Sequence, residues 1–300
     1  MELSVVVPTL NGREELAGCL DALAEEVPDA ETIVVNGPSA DGTTGMVRDR
    51  DDVDVLVEIA DRSVNVARNA GLDRATGDAV AMVSQGLSVE SGWGEAVRSG
   101  VESGVAVTGP THEQLVAGMT TESKETRTIA GREVTYFNPG NVAFRRTAID
   151  ALDGFDEYLE IGGSRDVAHR LAARGYTVDW DAGMCVSREF EADGGIRETD
   201  WNWKYRSLAY RLLKNYGVRP TVARRVLSHA ARDGTEALKD VARGETPPSK
   251  WLGTGRDVLG GLGLGCKDGL IARYRDRSDV RNPNGRSVRA DRAVAVYDRR

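Results

Sequence analysis

The sequence has few cysteines and no long apolar run, and each shortage excludes a class of protein. Its 300 residues contain three cysteines, Cys19, Cys185 and Cys266, which are odd in number and far apart. This spacing indicates neither a disulfide framework nor a thiolate metal site, and it fits a reducing cytosol. The longest uncharged apolar stretch near the end, residues 258–266, has about half the length that crosses a bilayer. We therefore expect no transmembrane span.

Lysine and net positive charge are also scarce. The formal net charge is −8 at pH 7, and lysine occurs at only six positions, so most of the positive charge comes from arginine. A surface that follows nucleic-acid phosphates would be basic, so nucleic-acid binding is not expected. An acidic, lysine-poor composition resembles the proteins of salt-loving microbes. A GC-rich genome would produce the same preference for arginine.

No secretory signal is expected at the start of the chain. Met1 and Glu2 lead directly into an apolar run, without a basic region or a long hydrophobic segment. Together with the missing transmembrane span, this predicts a cytoplasmic protein.

Short apolar runs alternate with amphipathic segments over the first 90 residues. Runs rich in β-branched residues predict strands that are buried on both faces of a parallel sheet, and apolar residues at helical spacing predict a crossing helix. The predicted strands are residues 3–7, 32–35, 53–59 and 79–83, and the predicted first helix is residues 14–26. This order predicts a doubly wound α/β fold.

Neither common phosphate-binding loop follows the first strand. That turn reads PTLNG, without G-x-G-x-x-G, and no P-loop occurs elsewhere. Ligands of open α/β sheets bind beyond the carboxyl ends of the strands. We therefore expect Ser84, Gln85 and Gly86, which follow the strand at 79–83, to form the floor of a site.

Four motifs in order resemble the family-2 glycosyltransferases, which have the GT-A fold of nucleotide-diphospho-sugar transferases. They are SVVVPTLNG at 4–12, ETIVVNGPSADGT at 31–43, VARNAGLDRATGD at 66–78 and NPGNVAFRRTAIDALDGFDE at 138–157. The resemblance implies transfer of a sugar from a nucleotide-diphosphate donor with inversion at the anomeric carbon. It implies a doubly wound mixed sheet followed by a C-terminal helical extension.

The resemblance also implies a set of donor-binding residues. These are Pro8, Thr9, Asn11, Asn36, Gly37, Ser39, Asp41, Arg68, Asn69, Ser84, Gln85 and Gly86. Asn36 stands where the family usually has an aspartate, and its amide can still hydrogen-bond a base or ribose. The alternative is that residues 36–41 form an ordinary turn.

The family's D-x-D pair, which holds Mg²⁺ or Mn²⁺ against the diphosphate, is replaced by Ser84-Gln85-Gly86. Three explanations remain open. Arg68, with Arg13, Lys204 or Arg206, binds the diphosphate instead; a metal is held through Asp41 or Asp78 and water; or the chain binds without catalysing.

The family's E-D-x-D-x-x-x-R-L motif, which supplies the catalytic base, is also changed. Aligning its last two residues on Arg170 and Leu171 places Gly163 and Ser164 on the acidic pair and Asp166 on the later aspartate. Asp166 is then the candidate base, assisted by His169. The alternatives are helix N-terminal electrostatics for Asp166 and packing for His169.

Two regions are candidates for the acceptor side. Gly140 and Asn141 resemble the family's acceptor turn, where glycine allows close approach. Residues 200–216 predict a helix whose aromatic and basic residues suit either an anionic interface or docking on the catalytic domain. Its candidate acceptor residues are Trp201, Trp203, Lys204 and Arg206.

The composition divides the chain into three parts: a GT-A domain at 1–190, a helical extension at 191–245 and a Gly/Arg-rich segment at 246–300, after a linker at 243–249. The last part predicts either contact with a bilayer surface or a loosely packed end. Similar transferases use dolichyl or polyprenyl phosphate acceptors. The resemblance thus implies a peripheral enzyme on the inner membrane face, in N-glycan or S-layer assembly. The alternative is a catalytically silent glycan- or nucleotide-binding subunit.

Overall fold

An eight-stranded mixed sheet forms the centre of the fold. The computed structural model describes residues 1–115, 118–121, 124–188, 199–244, 247–275 and 282–300. The strands are β1 (Leu3–Thr9), β2 (Glu31–Asn36), β3 (Val55–Ile59), β4 (Ala79–Val83), β5 (Ser88–Val89), β6 (Ala106–Thr108), β7 (Thr111–Leu115), β8 (Gly118–Thr121), β9 (Glu125–Ile129), β10 (Arg132–Tyr136), β11 (Asn141–Arg145), β12 (Asp179–Trp180), β13 (Val186–Arg188) and β14 (Ala293–Asp298). The main sheet has the order β12-β6-β11-β4-β1-β2-β3-β14.

Helices cover both faces of this sheet and continue into the C-terminal part. They are α1 (Arg13–Glu26), α2 (Thr43–Arg48), α3 (Val64–Leu72), α4 (Trp93–Ser103), α5 (Arg146–Ala151), α6 (Gly163–Ala173), α7 (Trp201–Tyr216), α8 (Pro220–Ala242) and α9 (Pro248–Arg275). A short 3₁₀ helix spans Arg286–Val288. The predicted doubly wound α/β architecture is confirmed.

The alternation of side chains along β1 divides the core into two layers. Val5 and Val7 pack with Leu16 and Leu20 of α1 on one face, whereas Val6 packs with α3, α5 and α6 on the other. All these side chains are buried, as expected for a strand between two helical layers.

Parallel pairing brings the ends of the central strands to one edge. β1 pairs in parallel with β2 and with β4, and Thr9 lies opposite Asn36. β11 pairs with β4 in the antiparallel direction, so Asn141 lies opposite Val83. The turns after β1, β2 and β4 and the turn before β11 therefore meet at one edge of the sheet.

The C-terminal segment differs from the expected division. β14 pairs with β3 and completes the main sheet. Helix α9, predicted as a bilayer-surface or loosely packed segment, lies against α7, where Gly261, Gly265 and Gly269 leave no room for a Cβ beside the α7 backbone. Helix α9 and strand β14 therefore pack against the rest of the described chain. The predicted boundary at 190–191, and residues 245 and 246 of the predicted linker, lie outside the described residues.

Within the described ranges, no helix combines the length and the apolar character needed to cross a membrane.

The approach of α3 to β1 generates a stability prediction. A Cβ on Gly71 would overlap the Val6 side chain, whereas a Cβ on Gly45 of α2 would meet nothing within 4 Å. We expect Gly71→Ala to lower the free energy of unfolding by about 1–3 kcal/mol through overpacking. Gly45→Ala, the matched control, should raise it by about 0.5–1 kcal/mol, because it removes backbone freedom from the unfolded chain. Urea denaturation of both variants measures the change in the free energy of unfolding. Equal changes in the two variants would contradict the close contact between Gly71 and Val6.

Candidate active site

The turn after β1 and the loop after β2 are joined by hydrogen bonds. The backbone N–H of Asn11 donates to Ser39 Oγ at 2.9 Å, and the N–H of Ala40 donates to Asn11 Oδ1 at 2.8 Å. The N–H of Arg13 donates to Asp41 Oδ2 at 3.0 Å. Asn11 has a φ of 50°, a left-handed conformation that asparagine tolerates better than most residues. The two segments thus form one rigid wall of the site.

Asn36, at the end of β2, stabilises this wall through side-chain hydrogen bonds. Its Oδ1 accepts from Ser39 Oγ at 2.7 Å, and its Nδ2 donates to Thr44 Oγ1 at 2.9 Å. The N–H of Gly37 donates to the Thr9 carbonyl oxygen at 2.9 Å. Asn36 is buried, so its amide orients the loop, and any role in donor binding stays a prediction.

Gln85 binds the β1 turn directly. Its Oε1 accepts from Thr9 Oγ1 at 2.7 Å and from the N–H of Leu10 at 3.0 Å, and its Nε2 donates to Glu15 Oε2 at 2.8 Å. The turn at 84–86 therefore locks onto the β1 turn through a neutral amide instead of presenting two carboxylates.

The residues at this turn do not fit Mg²⁺ or Mn²⁺. Ser84 and Gly86 offer no carboxylate, and hard divalent ions are held in proteins by carboxylate oxygens. Both oxygens of Asp41 accept bonds from Thr43 and from the N–H of Arg13. Asp78 precedes β4 and lies at the opposite, amino end of that strand. We derive no step through a metal here.

A separate group of possible metal ligands lies on the small sheet β5-β13-β7-β8. Ligand atoms of Glu90, His112 and Cys185 lie within 4.8 Å of one another. His112 Nδ1 is 3.1 Å from Glu90 Oε1 and 3.0 Å from Cys185 Sγ. Burial, with the Glu90 carboxylate, raises the pKa of the Cys185 thiol to about 12. The sequence did not predict this cluster because its members are far apart along the chain.

Arg68 is a buried cation beside the turn at 84–86. Its Nη1 donates to Asn65 Oδ1 at 3.2 Å and its Nη2 to the Pro139 carbonyl oxygen at 3.0 Å, while Nε is buried and has no hydrogen-bond partner in the described part of the chain. Burial lowers the pKa of Arg68 to about 10, so it stays charged at neutral pH. Ser84 is bound to the same 138–140 turn, since its N–H donates to the Gly140 carbonyl oxygen at 3.0 Å.

Asn69 and Asn141 support the backbone. Asn69 Nδ2 donates to the Phe155 carbonyl oxygen at 2.9 Å, and its Oδ1 accepts from the N–H of Phe155 at 2.8 Å. Asn141 Oδ1 accepts from Trp93 Nε1 at 2.9 Å. Both asparagines are fully buried, so they position the loops that carry the site.

Asp166 lies in a buried ion-pair network. Its side chain has no exposed surface, and its Oδ2 lies 2.8 Å from Arg170 Nε and 3.0 Å from Lys214 Nζ. Its Oδ1 accepts from Asn215 Nδ2 at 2.8 Å. Burial alone would raise the pKa of Asp166, but the Lys214 and Arg170 charges outweigh burial and hold it well below its ordinary value. Asp166 thus has buried ionic partners in this arrangement, and its role as the catalytic base stays a prediction.

His169 is buried between Tyr136 and Tyr216, and its Nδ1 lies 2.9 Å from the Tyr216 hydroxyl. Burial first, and then the nearby Arg211 cation, lower the pKa of His169 well below its ordinary value. The imidazole is therefore neutral near pH 7. Its Nε2 is buried without a hydrogen-bond partner among the described residues.

A cavity of about 1000 Å³ lies between the β9–β10 hairpin, the start of α6 and helices α7 and α8. Asn138 and Pro139 also line it, so it adjoins the 138–140 turn, to which Ser84 and Arg68 are hydrogen-bonded. Its charged and histidine lining residues are Glu125, Arg127, Arg165, His169, Lys204, Arg211, Arg225, His229 and Arg232. The sequence predicted only Lys204 and His169 of this set.

The other predicted acceptor residues of α7 pack elsewhere. Arg206 Nε donates to the Tyr158 hydroxyl at 2.7 Å and the guanidinium stacks on Trp203 at 4.8 Å. Trp201 lies under the Lys204 ammonium at 4.4 Å. None of these three residues is among those that line the cavity.

The arrangement of the sheet, the turns at its edge and the C-terminal helices defines the class: the chain has the GT-A glycosyltransferase fold. It resembles the mannosyltransferase PcManGT from Pyrobaculum calidifontis, solved with GDP-Man and Mn²⁺, at 17% identity and a TM-score of 0.55 over 92% of this chain and 88% of that one. It also resembles S. aureus TarS 1-349, solved with UDP-GlcNAc, at 15% identity and a TM-score of 0.63 over 92% and 90%.

The sequence comparisons narrow the class. Residues 4–110 match the family model "Glycosyl transferase family 2". The curated glycosyltransferase AglE of Haloferax volcanii is 28% identical over 150 residues. That alignment covers 48% of this chain and 43% of AglE, so the chain matches less than half the length of this relative.

The buried network around Asp166 generates a prediction that separates a structural role from a catalytic one. We expect Asp166→Asn to lower the free energy of unfolding by about 3–5 kcal/mol, because it leaves Arg170 and Lys214 short of a buried partner. The folded pKa of Asp166 is depressed, so its contribution is complete above the ordinary aspartate pKa of about 4 and is lost as the pH falls below it.

Urea denaturation at several pH values measures this effect. The difference between wild type and Asp166→Asn should be constant from neutral pH to about pH 5 and should shrink below about pH 4. Glu102→Gln, an exposed carboxylate on α4, is the control and should change stability by less than about 0.5 kcal/mol. A variant that is fully stable but has no turnover would instead support Asp166 as the base.

Proposed function

We propose that this chain is an inverting glycosyltransferase that moves a sugar from a nucleotide-diphosphate donor to a lipid-linked acceptor. The observation that carries the proposal is the 138–140 turn, which joins the two halves of the site. On one side it binds Ser84 and Arg68, and on the other its residues line the cavity. A donor sugar and an acceptor hydroxyl would meet at this turn.

The donor side is the edge formed by the turns after β1, β2 and β4. The fold neighbours bind GDP-Man or UDP-GlcNAc, which supports a nucleotide sugar as donor here. The base and ribose would lie against the wall formed by the β1 turn and the β2 loop. Arg68 would neutralise the diphosphate, since a guanidinium donates two parallel hydrogen bonds to phosphate oxygens.

The acceptor side is the cavity together with the exposed surface of α8 and α9. The large hydrophobic side chains exposed on these helices are Leu227, Leu238, Leu252, Leu259, Leu264, Leu270, Ile271 and Tyr274. Exposed apolar side chains on helices suit contact with a lipid chain at a membrane surface. We propose a dolichyl- or polyprenyl-linked glycan as acceptor, bound at the inner membrane face during N-linked or surface-layer glycan assembly.

We propose Glu125 as the general base. It is the one carboxylate among the described residues that line the cavity. Arg127 Nε lies 3.3 Å and Arg165 Nη2 lies 3.5 Å from its oxygens, so it is held by partners on two elements. The base takes the proton of the acceptor hydroxyl while its oxygen bonds to the anomeric carbon, and the nucleoside diphosphate leaves.

The base assignment is tested by transfer from labelled GDP-mannose and UDP-GlcNAc to dolichyl-phosphate-linked glycans. We expect Glu125→Gln to lower kcat by about 10²–10⁴-fold with little change in donor KM, because a general base acts in the transition state. Glu133→Gln, an exposed carboxylate on the neighbouring strand β10, is the matched control and should retain activity. Equal kcat values for the two variants would show that Glu125 is not the general base.

The role of Arg68 is tested by calorimetry with UDP and GDP, with and without Mn²⁺. Arg68→Gln should weaken nucleotide binding about tenfold or more, since a hydrogen bond to a charged group contributes about 1.5–3 kcal/mol. Arg74→Gln, an exposed arginine just after α3, is the control. Nucleotide affinity that is unchanged by Arg68→Gln but requires Mn²⁺ would contradict an arginine-based donor site.

A catalytically silent nucleotide- or glycan-binding subunit is the second candidate. It is favoured by Gln85, whose amide closes the turn at 84–86 onto Thr9 and Glu15 where the family resemblance implies metal-binding acids. Nucleotide binding without transfer from any donor to any acceptor, with and without divalent metal, would select this candidate.

A further inference from the structure

The cavity beside α6 is strongly positive in a chain with net charge −8. Six arginine or lysine side chains and two histidines line it, against the single carboxylate of Glu125 among the described residues. Glu125 contacts Arg127 and Arg165, and Lys204 is paired with Asp233 at 2.6 Å. Arg232 lies 3.4 Å from Glu236. The lining cations without a carboxylate partner among the described residues are therefore Arg211 on α7 and Arg225 on α8.

Arg211 on α7 is the most unusual of these cations. Its residue is 8% exposed, its Nε is buried without a hydrogen-bond partner, and no carboxylate of the described residues pairs with it. Burial lowers the pKa of Arg211 to about 10. Tyr136 and Asp166 act to raise this pKa, and the charges of Arg165 and Arg225 act to lower it. A buried cation that no carboxylate pairs with is unfavourable unless an anion joins it.

The guanidinium of Arg211 is placed at the start of α6. It lies against Gly162, where any Cβ would overlap Arg211 Nη1. Gly162 is the N-cap residue and supplies no side-chain oxygen to the first turn of the helix. His169 on the same helix lines the cavity, and its buried Nε2 has no hydrogen-bond partner within the described ranges. A helix N-terminus next to an unpaired guanidinium is a favourable place for a phosphate oxygen.

This anion-accepting character follows from residues that depart from the family motif. The family's E-D-x-D-x-x-x-R-L motif, aligned on residues 163–171, has two acidic residues where this chain has Gly163 and Ser164. Two carboxylates at this turn would pair with Arg211 and repel an anion. Glycine and serine supply no carboxylate at these two positions, so neither of them pairs with the Arg211 guanidinium.

We propose that the cavity binds a phosphate or diphosphate group of the acceptor, held by Arg211 and Arg225 against the first turn of α6. The assignment of this anion to the acceptor rests on the proposed function, whereas the anion site itself rests on the residues that line the cavity. The donor diphosphate is a different group, because none of the residues of the β1, β2 and β4 turns is among those that line the cavity. The acceptor phosphate and the donor nucleotide therefore occupy two separate sites and can be bound at the same time.

Calorimetry with farnesyl diphosphate, inorganic diphosphate and farnesol tests the site in the full chain. We expect both diphosphates to bind, farnesyl diphosphate more tightly, and farnesol to bind weakly or not at all. If inorganic diphosphate binds and farnesyl diphosphate does not, the ligand of the cavity is a free phosphate or diphosphate, and the proposal of a lipid-linked phosphate is wrong. Binding of farnesol as tightly as farnesyl diphosphate would overturn the proposal, because the cations would then contribute nothing.

Two neighbouring arginines on α8 provide a matched pair of variants. Arg225 lines the cavity, whereas Arg224 is exposed and does not. We expect Arg225→Gln to weaken farnesyl diphosphate binding about tenfold or more, and Arg224→Gln to leave it unchanged. Equal weakening by both variants would reduce the effect to general surface charge and overturn the site.

Arg211→Met adds a readout that a structural arginine would not give. Removing an unpaired buried charge should raise the Tm of the ligand-free protein while abolishing the rise in Tm that farnesyl diphosphate gives the wild type. A Tm that falls in the ligand-free variant would show that Arg211 has a structural partner and would contradict the proposal.

Saturating UDP or GDP separates this inference from the proposed function. Farnesyl diphosphate should still bind in its presence, and displacement by the nucleotide would show that the cavity is the donor diphosphate site instead. Anion binding without any sugar transfer would refute the proposed function and leave the anion site in place. Sugar transfer to a lipid-linked acceptor at a rate that Arg225→Gln does not change would support the proposed function and refute the anion site.

Discussion

Two buried aspartates and one lysine hold the C-terminal helices on the sheet domain, and the whole site depends on this contact. Lys214 Nζ on α7 lies 2.5 Å from Asp156 Oδ2 and 3.0 Å from Asp166 Oδ2. Arg170 adds a second cation to Asp166, and Asn215 adds a neutral hydrogen bond. A buried carboxylate without such partners is strongly unfavourable. Helix α7 is therefore fixed in one position against the start of α6.

The position of Arg211 follows from that contact. Arg211 precedes Lys214 by three residues, so both side chains lie on the same side of α7, about one turn apart. The helix position that brings Lys214 to the two aspartates also brings Arg211 to Gly162. Asp166 is already bound by Lys214 and Arg170, so no buried acid remains for Arg211. A perturbed, unpaired cation in a cavity is a typical mark of a ligand site.

The sheet and its edge could be predicted from the sequence because each depends on a local pattern. The strand predicted at 79–83 matches β4, and the turns after β1, β2 and β4 meet as their parallel order requires. The cavity could not be predicted, since its cations come from β9, α6, α7 and α8 and only tertiary packing brings them together. The same limit applies to Asp166, whose partner Lys214 is 48 residues further along the chain. Nor does a glycine-rich sequence reveal that α9 packs on α7 through Gly261 and Gly265.

Acids are absent at two places where the family resemblance implies them, and both absences change the charge in the same direction. Serine and glycine stand at 84 and 86, and glycine and serine stand at 163 and 164. Each place has a buried arginine nearby, Arg68 at the first and Arg211 at the second. Two unit charges 4 Å apart interact by about 4 kcal/mol at an effective dielectric constant near 20. An acid beside either arginine would therefore cancel much of its attraction for phosphate. In the proposed donor site, Arg68 takes the place of a metal bound by acids at 84 and 86, and in the proposed anion site Arg211 has no acid at 163 or 164 to pair with.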